Sequence, residues 1–306
     1  MTATMSQPVA VASSIARTRD ANSRKFKRFG LYGFLTFAAL FWFAPIAYSF
    51  YTSLRPYSDT AKHGYFSVGG SYNFHNYTTA WKNANFPKFY KNSFIITIPS
   101  VFFSLLLASM VAFVLSRYSY RFNLILLMLF TAGNLLPQQV LVTPLFRLYK
   151  AIPLPSFMSD SGTMFNSYFG VIAIHVAFQS GFCTFVLSNF MKALPIELNE
   201  AARVDGASVF RQYWQVILPL CRPALAALAT LEFTWIFNDF LWALVLMQSD
   251  DRRPITSALA NLRGVFFTDN NLIAAGSMLA AIPTLAVYIA LQKQFIGGLT
   301  LGANKG

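Results

Sequence analysis

Long apolar runs separated by short polar segments dominate the chain. Crossing the hydrocarbon of a bilayer takes about 20 apolar residues as a helix, which satisfies its own backbone hydrogen bonds where no water can. Six segments meet that requirement: residues 29–54, 92–115, 122–146, 165–190, 224–247 and 272–296. The pattern predicts an all-α integral membrane protein with six transmembrane helices. It divides the chain into a basic tail over residues 1–28, a first helix over 29–54, a loop over 55–91, a five-helix core over 92–297 and a short tail over 298–306. The start of the chain, rich in Ala, Ser and Thr, predicts a segment without regular structure. The first apolar run is too long for a cleaved secretion signal and reads as an uncleaved anchor.

Composition agrees with a lipid environment. Only 11% of the 306 residues are charged, against about 25% in ordinary soluble chains. Hydrophobic residues make up 55%, 32 of them Phe, and mean hydropathy is +0.47. The net charge of +13 is spread between apolar runs rather than gathered in one patch, which argues against a nucleic-acid partner. Basic loops tend to stay cytoplasmic, and the cluster Arg24, Lys25, Lys27 and Arg28 puts the N-terminus inside. Six spans return the C-terminus to the same side.

Candidate chemistry is sparse. His63, His75 and His175 lie far apart, and Cys183 and Cys221 lack metal-ligand spacing, so no metal site and no disulfide framework is expected. The chain contains no G-x-x-x-x-G-K-[ST] sequence, so any nucleotide energy comes from a partner. The outer loop from Arg55 to Lys91 is crowded with aromatic residues, among them Tyr57, Phe66, Tyr72, Phe74 and Trp81. They suit a bilayer interface better than sugar stacking, although both readings stand.

The inner loop over residues 191–222 has the parts of a short helix: Pro195 fits a first helical position, Glu197 the positive end of the dipole, and Gly206 a left-handed stop. Ser208 fits the cap of a second helix leading to Val216-Ile217-Leu218-Pro219. Ala201 and Ala202 leave a smooth patch flanked by Glu200, Arg203 and Asp205, which reads as a protein dock rather than a lipid-facing stripe.

Glu200-Ala201-Ala202, then Gly206, then Val216-x-Leu218-Pro219 resembles the EAA loop of ATP-binding-cassette importer permeases, with Val216 where that family usually has Ile. Asn76-Tyr77, Asn92-Ser93, Pro137-Gln138 and Trp235 to Phe240 extend the resemblance. The ending from Gln292 through Gly298-Leu299-Thr300 to Gly306 resembles the sugar-importer branch, close to its maltose-type six-span subunit. The resemblance implies a type I importer permease fold with a cytoplasmic coupling helix, in the cytoplasmic (inner) membrane of a bacterium or archaeon. It also implies a second permease subunit, two cytosolic ATPases that hold ATP and Mg, and an extracytoplasmic solute-binding protein. The chain itself would be no enzyme and bind no cofactor.

Within the spans, Glu232 and Asp239 are the only acids, and an ionised carboxylate in lipid is costly. On one continuous helix, Glu232, Trp235, Asp239 and Trp242 would fall within roughly 80° of one another. That polar stripe, with Asn238, and with Gln138 and Thr143 near the prolines of the third span, would line a sugar pathway or face the partner permease. Two other functions compete: a proton-coupled secondary transporter using Glu232 and Asp239, and an importer permease for a non-sugar solute such as glycerol phosphate. A self-sufficient transporter needs no ATPase dock, which counts against the first.

Overall fold

The computed structural model describes residues 7–249, 251–262 and 268–300. In chain order the helices are α1 (Gln7–Ser53), α2 (Tyr57–His63), α3 (His75–Asn83), α4 (Phe86–Arg117), α5 (Asn123–Leu135), α6 (Gln138–Ala151) and α7 (Tyr168–Ala193). There follow α8 (Glu197–Val204), α9 (Val209–Arg211), a π-helical turn (Gln212–Ile217), α10 (Leu218–Leu220), α11 (Arg222–Phe237), α12 (Leu241–Leu246), α13 (Ile255–Ala258) and α14 (Asn270–Thr300). Among the described residues, four helices are long and apolar enough to cross a membrane, and up to six spans result if each of two bent pairs counts as one. The first helix begins at Gln7, where an irregular tail was expected. No Gly or Pro interrupts the chain between Val9 and Phe29, and its Ala, Arg and Lys residues favour helix. The C-terminal helix reaches Thr300, three residues into the expected tail, and residues 301–306 lie outside the described residues.

Two spans differ in shape from the expectation. The third breaks at Pro137, with α5 and α6 meeting at 94°. Proline removes a backbone donor and pushes its predecessor out of the helical region, and Leu136 is extended at ψ 131°. Pro99, Pro144 and Pro283, by contrast, are accommodated inside α4, α6 and α14. The expected fifth span ends early, at Phe237, and restarts as α12.

The centre of the bundle is α4 against α7. The buried face of α4 is built from small residues, Ser93, Thr97, Ser100, Ser104, Ala108 and Ala112, spaced three or four apart. Lipid gives helices no hydrophobic reason to associate, so close backbone approach and dispersion have to supply the attraction. Gly181 shows the same logic between α5 and α7: a Cβ there would meet the Phe130 carbonyl oxygen at 2.0 Å. On the outside, Phe29, Phe34 and Trp42 of α1 and Leu285 and Ile289 of α14 are left exposed, as lipid-facing positions require.

The loop between α1 and α4 is an ordered cap rather than an aromatic fringe. Arg55 is fully buried and donates to Asp59 at 2.7 Å and to the carbonyls of Tyr65 and Ser67 at 3.1 Å. Burial alone would pull its pKa down, but the hydrogen bond and charge of Asp59 outweigh it and the guanidinium is held above its usual range. Asp59, held by Arg55 against the cost of burial, lies below the usual carboxylate range. Two asparagines fasten this cap and the returning chain to the bundle. Asn76 donates to the carbonyls of Ser53 and Arg55, and Asn92 to those of Asp251 and Arg253.

Candidate functional site

The candidate functional residues fall mainly into two places, an exposed loop at one end of the bundle and a cavity inside it. At the loop, α8 starts at Glu197, two residues later than Pro195 would allow as a first helical position. The difference is small and local, because Ile196 already has helical angles and occupies the cap. The stop is as expected: Gly206 takes φ +76°, a region that a side chain enters only with strain. Nothing else crowds this glycine, so its conformation alone demands the residue. Ser208 then caps α9, its Oγ accepting from the Arg211 N–H at 3.3 Å.

One polar pair braces α8 from beneath. Asn199, the buried residue of the helix, donates through Nδ2 to Gln212 Oε1 at 3.3 Å, and Gln212 Nε2 donates to the Ala207 carbonyl at 2.8 Å. These contacts hold the helix, the glycine turn and the π-helical turn as one unit. Everything pointing away from them is open: Glu197, Glu200, Ala201, Arg203, Val204 and Asp205 are exposed, Ala202 half-buried. Val204 at 87% exposure and Phe210 at 67% give the unit an apolar face that no described residue covers. Leu218 and Pro219 lie behind it in α10, where the chain turns by 75° into α11. Asn199 and Gln212 were missed in the sequence; a polar residue on the inner side of an otherwise charged amphipathic helix was the available signal.

The cavity is about 330 Å³ and is lined by Gln138, His175, Phe178, Gln179, Trp235, Asp239 and Trp242. The break after Phe237 builds it. Asn238 turns its Nδ2 back to the Thr234 carbonyl at 2.8 Å, and local side-chain bonds of this kind compete with helix continuation. Asp239 Oδ2 accepts from the N–H groups of Trp242 and Ala243 at 3.2 and 3.4 Å, so it caps the restart. Its carboxylate also lies 3.8 Å from His175 Nε2. Trp242 is buried against Phe178, while Trp235 is half-open and packs on Phe182. Amide, carboxylate and imidazole groups beside indole faces can hydrogen-bond hydroxyls and stack a sugar ring.

The expected stripe on one helix is therefore divided. Asp239, Trp235, Trp242 and Gln138 meet at the cavity. Glu232 does not: it is fully buried among helices, with Cys183 Sγ 3.2 Å from its Oε1. Asn238 faces α14, where Thr284 Oγ1 lies at 3.4 Å, and Thr143 is exposed on α6. His175 and Gln179 were missed. Both are polar residues four apart in the middle of an apolar span, and that spacing was visible.

A protein described as a probable ABC transporter permease of Pyrococcus horikoshii is 32% identical over 267 residues, covering 84% of this chain and 91% of its own length. A Bacillus subtilis melibiose/raffinose/stachyose import permease is 30% identical over 265 residues, covering 86% of this chain and 92% of its own. The fold is shared with a chain of a bacterial ABC transporter that imports the acidic polysaccharide alginate, at TM-score 0.71 and 21% identity, over 96% of this chain and 100% of that one. Residues 93–296 match the model of the binding-protein-dependent transport system inner membrane component. The chain belongs to this family of ABC transporter permeases.

Proposed function

We propose that the chain is one permease subunit of an ATP-driven carbohydrate importer, with α8 as the coupling helix and the cavity at Asp239 as part of the sugar pathway. In this reading α8 faces the cytoplasm with both termini, two ATPases carry ATP and Mg, and a second permease completes the membrane part. A solute-binding protein delivers the sugar to the outer cap. The observation that carries the reading is the braced, uncovered α8 unit: a lever whose outer face offers charges and apolar side chains that no described residue of the chain covers. ATP and loaded binding protein move such a transporter only by favouring one packing of the bundle over another.

The cavity supports a neutral, hydroxyl-rich solute. Its polar groups are mixed donors and acceptors, and among the described residues no Lys or Arg lines it to match a phosphate or a uronic acid. Melibiose, raffinose and stachyose, named for the Bacillus relative, are solutes of that kind. The test is uptake by the whole complex in vesicles with either ATP or a pH gradient as the only energy source. Sugar accumulation that needs ATP and the binding protein is the expected result; accumulation driven by the gradient alone would replace the importer with a proton-coupled carrier.

A further inference from the structure

At the end of the bundle that carries α8, a second cavity of about 370 Å³ opens between the end of α4, the start of α5 and the end of α7. Arg117, Tyr118, Asn123 and Lys192 supply its polar wall, Leu124 and Leu127 its apolar one. Arg117 donates one N–H, through Nη1, to the Leu194 carbonyl at 3.2 Å, which ties α4 to the chain entering the α8 loop. Its Nε and Nη2 are buried and have no hydrogen-bond partner among the described residues. No carboxylate pairs with Arg117 among the described residues. A permanently charged guanidinium with two buried, unused donors is costly unless an anion meets it. Asn123 Oδ1 in the same wall is also buried and unpartnered, and it needs a donor.

We infer that this cavity holds the headgroup of an anionic phospholipid, its phosphate on Arg117 and Lys192 and a headgroup hydroxyl on Asn123. A guanidinium binds phosphate through two parallel N–H bonds, and Nε with Nη2 form such a fork. The headgroup of phosphatidylglycerol carries both the phosphate and the hydroxyl donors that the two unpartnered groups call for. The apolar wall fits the same ligand: Leu124 and the neighbouring Phe122 are 67% and 64% exposed on the lipid-facing side, where acyl chains run. Basic cavities between helices near a membrane surface recognise lipid headgroups in this way. Because Arg117 also holds Leu194, the lipid would brace the root of the α8 loop.

The test is native mass spectrometry of the intact transporter complex released from phosphatidylcholine nanodiscs with and without phosphatidylglycerol. Wild type should retain phosphatidylglycerol, and Arg117→Gln should weaken that retention about tenfold, the loss of one charged hydrogen-bonding partner. Arg117→Gln also loosens Leu194, so Ser119→Glu, which places a negative charge in the cavity wall and leaves Arg117 intact, serves as the second variant. It should release the lipid while the complex stays assembled. Equal retention in wild type and both variants would overturn the site. Displacement of the lipid by inorganic phosphate alone would make it a site for a free anion, and cross-linking of Ser119→Cys to the second permease would make it a protein contact; either result overturns the lipid assignment.

Discussion

The α8 loop and the Asp239 cavity are made in opposite ways. The loop is one continuous stretch, with its helix, glycine stop and serine cap within residues 197–208 and its brace at Gln212. The cavity draws on α6, α7, the end of α11 and α12, and it exists because a helix stops where apolar periodicity would carry it on. A contiguous device depends on single backbone conformations, so one residue can destroy it. An assembled one spreads its dependence over several groups, and conservative changes should be absorbed.

The sharpest break in that comparison is at Gly206, with the largest effect expected. Gly206→Val should reduce ATP-driven uptake by a hundredfold or more, on the order of 3 kcal/mol, because a β-branched residue at φ +76° forces the turn open. Gly206→Asn should retain most activity, since Asn tolerates that region and the space around it is open. Uptake and ATPase pull-down measured on the same preparations check both; equal loss in the two variants would mean that crowding, not conformation, sets the requirement.

Next in size is Asp239. Asp239→Leu removes the acceptor for the Trp242 and Ala243 N–H groups and the polar neighbour of His175, leaving buried donors unpaired at about 1–3 kcal/mol each. Uptake should fall by tenfold or more. Asp239→Asn keeps an acceptor oxygen of the same reach and should stay within a few-fold of wild type. Sugar transport in vesicles with ATP as the energy source measures both. A collapse in Asp239→Asn equal to that in Asp239→Leu would show that charge, and not hydrogen bonding, is what the cavity uses.

How much of this was legible follows from the same contrast. Gly206 and Ser208 could be read directly, because a left-handed stop and a cap are properties of a few adjacent residues. The α4 and α7 spans were legible as apolar length. The fifth span was not, since Asn238 and Asp239 end the helix through side-chain bonds that hydropathy does not see, and with it went the grouping of Glu232 with Asp239. Arg55 is the other instructive case: a cation in a loop between spans is ordinarily solvated, and only the fold shows that Asp59 and two carbonyls enclose it.

A smaller effect should come from the brace beneath α8. Asn199→Ala leaves Gln212 Oε1 without its partner at a net cost of about 1 kcal/mol, with α8 intact but looser. ATPase affinity should drop several-fold while sugar-binding in the cavity is unchanged, which isothermal titration of the two ligands would separate. A matching loss in sugar binding would mean that the two regions are not independent.

The smallest effect is reserved for the cap between α1 and α4, which touches neither region and so tests whether the contrast is specific to them. Asp59 is held below the usual carboxylate range by Arg55 first, against the cost of burial, with Gly70 N–H and His63 adding to the hold. A depressed folded-state pKa means that the carboxylate stabilises the cap at pH above its unfolded value, about 3.9, and that this contribution is lost as pH falls further through the folded value. Asp59→Asn should therefore melt below wild type at pH 7, as Arg55 loses its counter-charge. The gap should close as pH drops below about 4. Trp81, stacked on Phe86 at the base of the cap, is the reporter, and its fluorescence can be followed through thermal unfolding. Sugar uptake by the variant at pH 7 should stay within twofold of wild type. A melting difference that persists unchanged at low pH would mean that Asp59 stabilises the cap through shape and hydrogen bonding rather than through its charge.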